Sequence, residues 1–258
     1  MKERLPTIDE VAWQRIIVPL DVATEREAID LVLQLRDYVG LFKIGLELIN
    51  SVGISIVQRI AELGGKVFYD GKFNDIPNTV AGASRGVTRL AVSIFNVHII
   101  GGVEMMKAAV KAAEEEASML QTERPLVLGV TMLTSIDQAI MNQQLRIPGD
   151  IETQVAHLAK LAEQAGLDGV IASPREIEAI RKNTSRPMII VTPGIRPNWA
   201  TTQDQKRIMT PSEAILKGAS YLVIGRPITK PPTEIGTPVD AAKRITEEIT
   251  MAMGGENQ

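Results

Sequence analysis

The chain contains no cysteine, which excludes disulfides, thiolate metal sites and a cysteine nucleophile. It has only two histidines, His98 and His157, too few for a multi-histidine metal centre. Aromatic residues make up 3%, so stacking platforms for nucleic-acid strands are not expected. Neither sign of charge dominates: 28 Lys and Arg against 31 Asp and Glu leave a net charge of −3, with no basic stripe to suit a nucleic acid or a membrane surface. No apolar run reaches the roughly 18 residues a membrane helix needs. The first residues, MKERLPTIDEVAWQR, are charged and lack the apolar core of a signal peptide. A cytoplasmic protein is expected, with neither nucleic acid nor membrane as partner.

Hydrophobic residues, by contrast, are plentiful, at 45% of 258 residues, enough to bury a sizeable core. They fall in short runs that alternate with helical patterns. Ile16–Val22, Leu41–Leu46, Lys66–Lys72, Ser93–Ile99, Leu126–Leu133, Asp168–Ala172, Met188–Pro193 and Tyr221–Gly225 read as strands. Their near-continuous apolar character suits a parallel sheet covered by helices. Thr24-x-x-Glu27, Ser173-Pro174-x-Glu176 and Thr210-Pro211-x-Glu213 read as capping boxes, with Thr237-Pro238-x-Asp240 a weaker version. Each places a helix start after a strand or loop, and no Gly/Ser- or Pro-rich linker divides the chain. The pattern predicts an α/β fold, one (β/α)₈ TIM-barrel domain over residues 1–258; a doubly wound open sheet is the runner-up.

In such a barrel function sits at the carboxyl ends of the strands, and several charges fall there. Asp21 ends the first strand, Lys43 lies within the second, Asp70 and Lys72 end the third, and Asp75 follows in the loop. Alternation along a strand puts Asp70 and Lys72 on one face. A lone charge at a strand end is usually a solvated loop residue. A Lys–Asp–Lys–Asp set is harder to dismiss, because charge in apolar strands costs free energy unless it is paired. Such a set can pair internally, stay ionised and hold a lysine rigidly at the mouth of the barrel.

The run Asp70-Gly71-Lys72-Phe73-Asn74-Asp75-Ile76-Pro77-Asn78-Thr79 resembles the D-x-K-x-x-D-I-P-x-T signature of the orotidine 5′-monophosphate decarboxylases. The resemblance runs through nearly the whole chain. Asp21 and Lys43 are similar to the first-strand aspartate and second-strand lysine, and Leu133-Thr134-Ser135 to the LTS after strand five. Thr192-Pro193-Gly194-Ile195-Arg196-Pro197 is similar to the TPGIRP after strand seven, and Gly225-Arg226-Pro227 to the last phosphate loop. A phosphate lid would span about residues 196–209. Asp204-Gln205 and Arg207–Pro211 match its end; Asn198–Gln203 match nothing.

The resemblance implies decarboxylation of orotidine 5′-monophosphate to UMP and CO₂, the last step of UMP synthesis, with neither metal nor organic cofactor. Lys72 would stabilise and protonate C6, Asp70 would face the departing carboxylate, and Lys43 would orient Asp70 and touch the ribose. Asp75 would come from the partner subunit of a homodimer with shared active sites. Asp21 and Thr79 would hold ribose hydroxyls, Thr79 also from the partner, with Ile76 of the same run a substrate contact. Thr134 and Ser135 would hydrogen-bond the pyrimidine, with Pro193 a further substrate contact. Arg196, Gln205, Gly225 and Arg226 would serve the phosphate end, with Gln205 reaching the base as well; a guanidinium fork and a close backbone approach suit a phosphate. By default Arg226 alone would be a surface ion pair, and Thr134 or Ser135 a helix or turn cap.

His98, at the end of strand four, is expected to be a hydrogen-bonded structural or interface histidine rather than a general base. His157 is expected at the surface, and the methionines in helix packing. Two rivals remain. One is a Mg²⁺-dependent sugar-phosphate decarboxylase of the same superfamily, which would carry a carboxylate in place of Lys43. The other is a non-catalytic nucleotide-binding barrel, which would lack Lys72 or its partners.

Overall fold

The computed structural model describes residues 11–200 and 209–254. Eight strands are present: β1 (Ile16–Pro19), β2 (Leu41–Ile44), β3 (Val67–Phe73), β4 (Ile94–His98), β5 (Leu126–Val130), β6 (Gly169–Ile171), β7 (Ile189–Thr192) and β8 (Tyr221–Val223). Each lies within one residue of the span its apolar run predicts, and most are shorter. They pair in sequence order, all parallel, and β8 returns to β1 to close the barrel. Closure removes the open-sheet alternative.

Strand parity divides the core. Ile17, Leu41, Phe68, Ile94, Leu128, Ile189 and Val191 form one cluster inside the barrel. Their strand neighbours Ile16, Val18, Phe42, Val67, Phe95, Val127 and Ile190 belong to the larger cluster under the helices. Filling the inside this way makes the barrel a packed body rather than a pore. Phe68 is 1% exposed, and burial of such a side chain contributes roughly 1.5–3 kcal/mol. The same parity carries Lys43, Asp70 and Asn96 to the inner face, each two residues beyond an interior apolar residue.

The amino-terminal end of the barrel is tied by charge. Arg124 donates to both carboxylate oxygens of Asp168, at 2.9 and 2.7 Å, and the Val127 N–H donates to Asp168 Oδ2 at 2.7 Å. A bidentate pair of this kind at the bottom of a barrel reads as stability rather than catalysis.

The outer layer contains α1 (Glu25–Leu35), α2 (Leu46–Val52), α3 (Ser55–Glu62), α4 (Pro77–Arg89), α5 (Val103–Leu120), α6 (Ile151–Gln164), α7 (Ile177–Asn183), α8 (Pro211–Leu216), α9 (Arg226–Thr229) and α10 (Pro238–Gly254). The predicted start signals are in place. Full capping boxes form at Ser173/Glu176, on a short 3₁₀ turn, and at Thr210/Glu213. Thr24 caps α1 by accepting from the Glu27 N–H, while Glu27 bonds the Thr24 hydroxyl instead of its backbone. Thr237 and Asp240 bond reciprocally before α10. Among the described residues no helix is long and apolar enough to cross a membrane.

Candidate active site

Three strands bring their charges to one point at the carboxyl end of the barrel. Lys43 Nζ on β2 lies 3.1 Å from Asp70 Oδ2 on β3 and 3.3 Å from Asp21 Oδ1 beyond β1. Lys72 Nζ lies 2.7 Å from Asp70 Oδ1. One buried carboxylate, 7% exposed, thus holds two ammonium groups, one on each oxygen.

The protonation states follow from the pairing. Burial alone would lift the Asp70 pKa, but Lys43 and Lys72, with hydrogen bonds from Lys72 and Asn96, hold it below its ordinary value. Burial alone would lower the Lys43 pKa, yet Asp70 and then Asp21 outweigh it and raise the value. Asp70 and Lys43 are therefore both ionised at neutral pH.

Simple alternation does not account for the Asp70–Lys72 pair. The β3–β4 register breaks between Tyr69 and Phe73, and Lys72 has a left-handed φ of +49°, a conformation costing a residue with a Cβ roughly 1–2 kcal/mol. Gly71 sits inside the break, where a Cβ would meet Tyr69 Cε1 at 2.4 Å. The two charges converge through a bulge, a device that re-aims a side chain. Opposite it, on β4, Asn96 is fully buried: its side-chain amide donates to Asp70 Oδ1 and its carbonyl accepts from the Lys72 N–H, both at 2.7 Å.

Lys43, Asp70 and Lys72 form the charged wall of a cavity of about 190 Å³. Phe68, Val130, Met132, Ile171 and Val223 supply apolar walls, and Thr134 and Pro193 also line it. Fixed charge beside apolar walls in a small space acts more strongly on a bound molecule than the same charge in water. Among the described residues no group of three or more His, Cys, Asp or Glu is placed to hold a metal ion.

The other expected residues lie around this centre. Asp75, Ile76 and Thr79 are exposed at the start of α4. Asp75 Oδ1 accepts from the adjacent Ile76 N–H, and among the described residues it forms no ion pair. Ser135 is exposed and is not a wall of the cavity. Gly225 and Arg226 follow β8 into α9; a Cβ on Gly225 would meet Pro19 Cγ at 3.1 Å. Arg196 is buried, and its backbone N–H donates to the Met209 carbonyl at 3.0 Å, so the two ends of the expected lid are joined. Gln205 lies outside the described residues.

His98 differs from its expected form. Its Nδ1 is buried with no hydrogen-bond partner among the described residues. Burial and then the Lys72 ammonium lower its pKa, with Asp70 opposing, so the ring is neutral. Sequence reasoning missed Asn96; the signal was a single amide in the otherwise apolar strand IFNVH.

Fold and site together define a class: a (β/α)₈-barrel enzyme that carries a Lys–Asp–Lys network at its strand ends. Comparison gives the family. The family described as Orotidine 5′-phosphate decarboxylase / HUMPS matches residues 14–245, and the chain belongs to it. Orotidine 5′-phosphate decarboxylase of Moorella thermoacetica is 50% identical over 240 residues, 93% of this chain and 94% of that protein. The namesake from Heliobacterium modesticaldum is 48% identical, covering 92% and 96%. A crystal structure of orotidine 5′-phosphate decarboxylase from Lactobacillus acidophilus superposes with a TM-score of 0.79 at 32% identity, covering 91% of this chain and 98% of that one.

Proposed function

We propose that the chain decarboxylates orotidine 5′-monophosphate to UMP and CO₂, the last step of UMP synthesis, using its own charges in place of a cofactor. The observation that carries the reading is the Lys43–Asp70–Lys72 network on the wall of an otherwise apolar cavity. The relatives' names supply the substrate.

The C6–carboxylate bond breaks, its electron pair stays on C6, and CO₂ leaves. A fixed ammonium stabilises the carbanion and then gives C6 its proton. Lys72 suits that role because Asp70 holds it and it faces the cavity. Asp70 faces the departing carboxylate, and Lys43 keeps Asp70 ionised and oriented. Thr134 and Ser135 address the pyrimidine, Pro193 is a further substrate contact, and Asp21 addresses the ribose. Arg226, Gly225, Arg196 and Gln205 address the phosphate, the last two from a lid over about residues 196–209.

The site is completed across a homodimer. Asp75, Ile76 and Thr79 are exposed at the head of α4, and Ile76 is an apolar side chain 67% open to solvent. Residues of this kind suit burial against a second copy, where Asp75 would join the partner's network. The assignment as a step of UMP synthesis is also the ground for the cytoplasmic location.

The test is turnover of orotidine 5′-monophosphate, followed by its absorbance, with wild type and Lys72→Ala side by side. Wild type should consume the substrate; Lys72→Ala should bind UMP and leave the substrate intact. Decarboxylation by clean Lys72→Ala protein would sink the assignment of the proton donor.

A further inference from the structure

We propose that Asn96 is the positioning residue that locks Asp70 and Lys72 into their reactive geometry, through one side-chain bond to each. The proposal rests on the reading of Lys72 as proton donor. It concerns a side chain that reaches neither the cavity nor solvent, being 0% exposed.

The geometry is specific. An amide has one acceptor end and one donor end. The acceptor end of Asn96 takes the backbone N–H of Lys72 and the donor end gives to Asp70 Oδ1, each at 2.7 Å. These are the two groups whose relation matters. Lys72 carries a left-handed φ of +49° where the register breaks, so the neighbouring strands do not by themselves dictate its backbone direction. The bond to Asn96 ties that backbone to β4. Asp70 Oδ1 also accepts from Lys72 Nζ at 2.7 Å, so Asn96 fixes the carboxylate rotation that presents Oδ1 to Lys72 and Oδ2 to Lys43.

A hydroxyl or an aliphatic group at this place could not serve both bonds. A carboxylate could accept from the Lys72 N–H, but its second oxygen would face Asp70 Oδ1 with no proton between them. One of the two carboxyls would then have to be protonated.

That asymmetry supplies the test. Wild type, Asn96→Leu and Asn96→Asp are compared for orotidine 5′-monophosphate turnover across the acid-to-alkaline range, with thermal midpoints and UMP affinity measured on the same samples. Asn96→Leu should lose about 100-fold in kcat while KM and UMP affinity stay within a factor of about three. Asn96→Asp should be most active where the introduced carboxyl is protonated, and its kcat should fall with rising pH through a range where wild type is flat. A folded Asn96→Leu with wild-type kcat would overturn the proposal, as would equal losses in kcat and UMP affinity, which signal general disruption. Should Asn96→Leu not fold, the Asn96→Asp profile decides: superposition on the wild-type profile overturns the role. Failure of the wild type to turn over the substrate would instead refute the decarboxylase reading itself.

Discussion

At the scale of single residues, the site is a problem in keeping charge out of water without neutralising it. Asp70 succeeds because two ammonium groups and an amide share its oxygens. Its folded pKa lies below the ordinary 3.8, so its contribution to stability is present above that pH and is lost as pH falls through the folded value. The Lys43 pKa is raised above 10.5, so its contribution is present below that pH and lost as pH rises through the folded value. Between these limits neither group should tilt the stability curve. His98 should. Its folded pKa is below 6.5, so the unfolded chain takes up the proton first and stability falls as pH drops below 6.5. Denaturant titrations of wild type and His98→Gln should diverge below that pH, the variant losing less; parallel curves would show that the histidine is not held neutral. If Arg226 binds the substrate phosphate as proposed, Arg226→Ala should cost on the order of 2–5 kcal/mol in kcat/KM, as for a desolvated charge-assisted contact, because remote binding energy helps assemble the site. A change within twofold would remove Arg226 from the phosphate site.

At the scale of elements, what was legible in the sequence was what strand and helix periodicity encode. The eight apolar runs became eight strands because a parallel strand buried on both faces must be apolar throughout. The strand ends came out shorter where the chain turns into polar loops. Thr210 and Glu213 announced their helix because the capping box is a local bond pattern. It opens α8 just beyond Met209, whose carbonyl holds Arg196. Thr210→Ala should therefore lower unfolding free energy by about 1 kcal/mol, read from denaturant midpoints; no loss would mean that the box contributes nothing net. The bulge at Lys72 was not legible. Alternation brought Asp70 and Lys72 to one face by a simpler route than the molecule uses, because a register break depends on the neighbouring strand. Asn96 was missed for a related reason: its partners lie 24 and 26 residues earlier in the chain.

At the scale of the whole molecule, the described chain presents a network on three strands and leaves Asp75 outside it. If a second copy supplies that carboxylate, Lys72→Ala and Asp75→Ala chains should complement each other. In a mixed dimer one site carries both lesions and the other carries none. Unfolding and refolding equal amounts together should restore about a quarter of wild-type activity, since roughly half the dimers are mixed and each has one working site. Inactivity of the mixture, with subunit exchange verified, would place Asp75 in its own chain's site. The proposed reaction is broader than the dimer: a lysine–carboxylate network performs the decarboxylation without help. Its most direct test is CO₂ release from orotidine 5′-monophosphate by EDTA-treated wild-type protein. Release at the untreated rate is the result expected; a rate that collapses with EDTA and returns with Mg²⁺ would contradict the account.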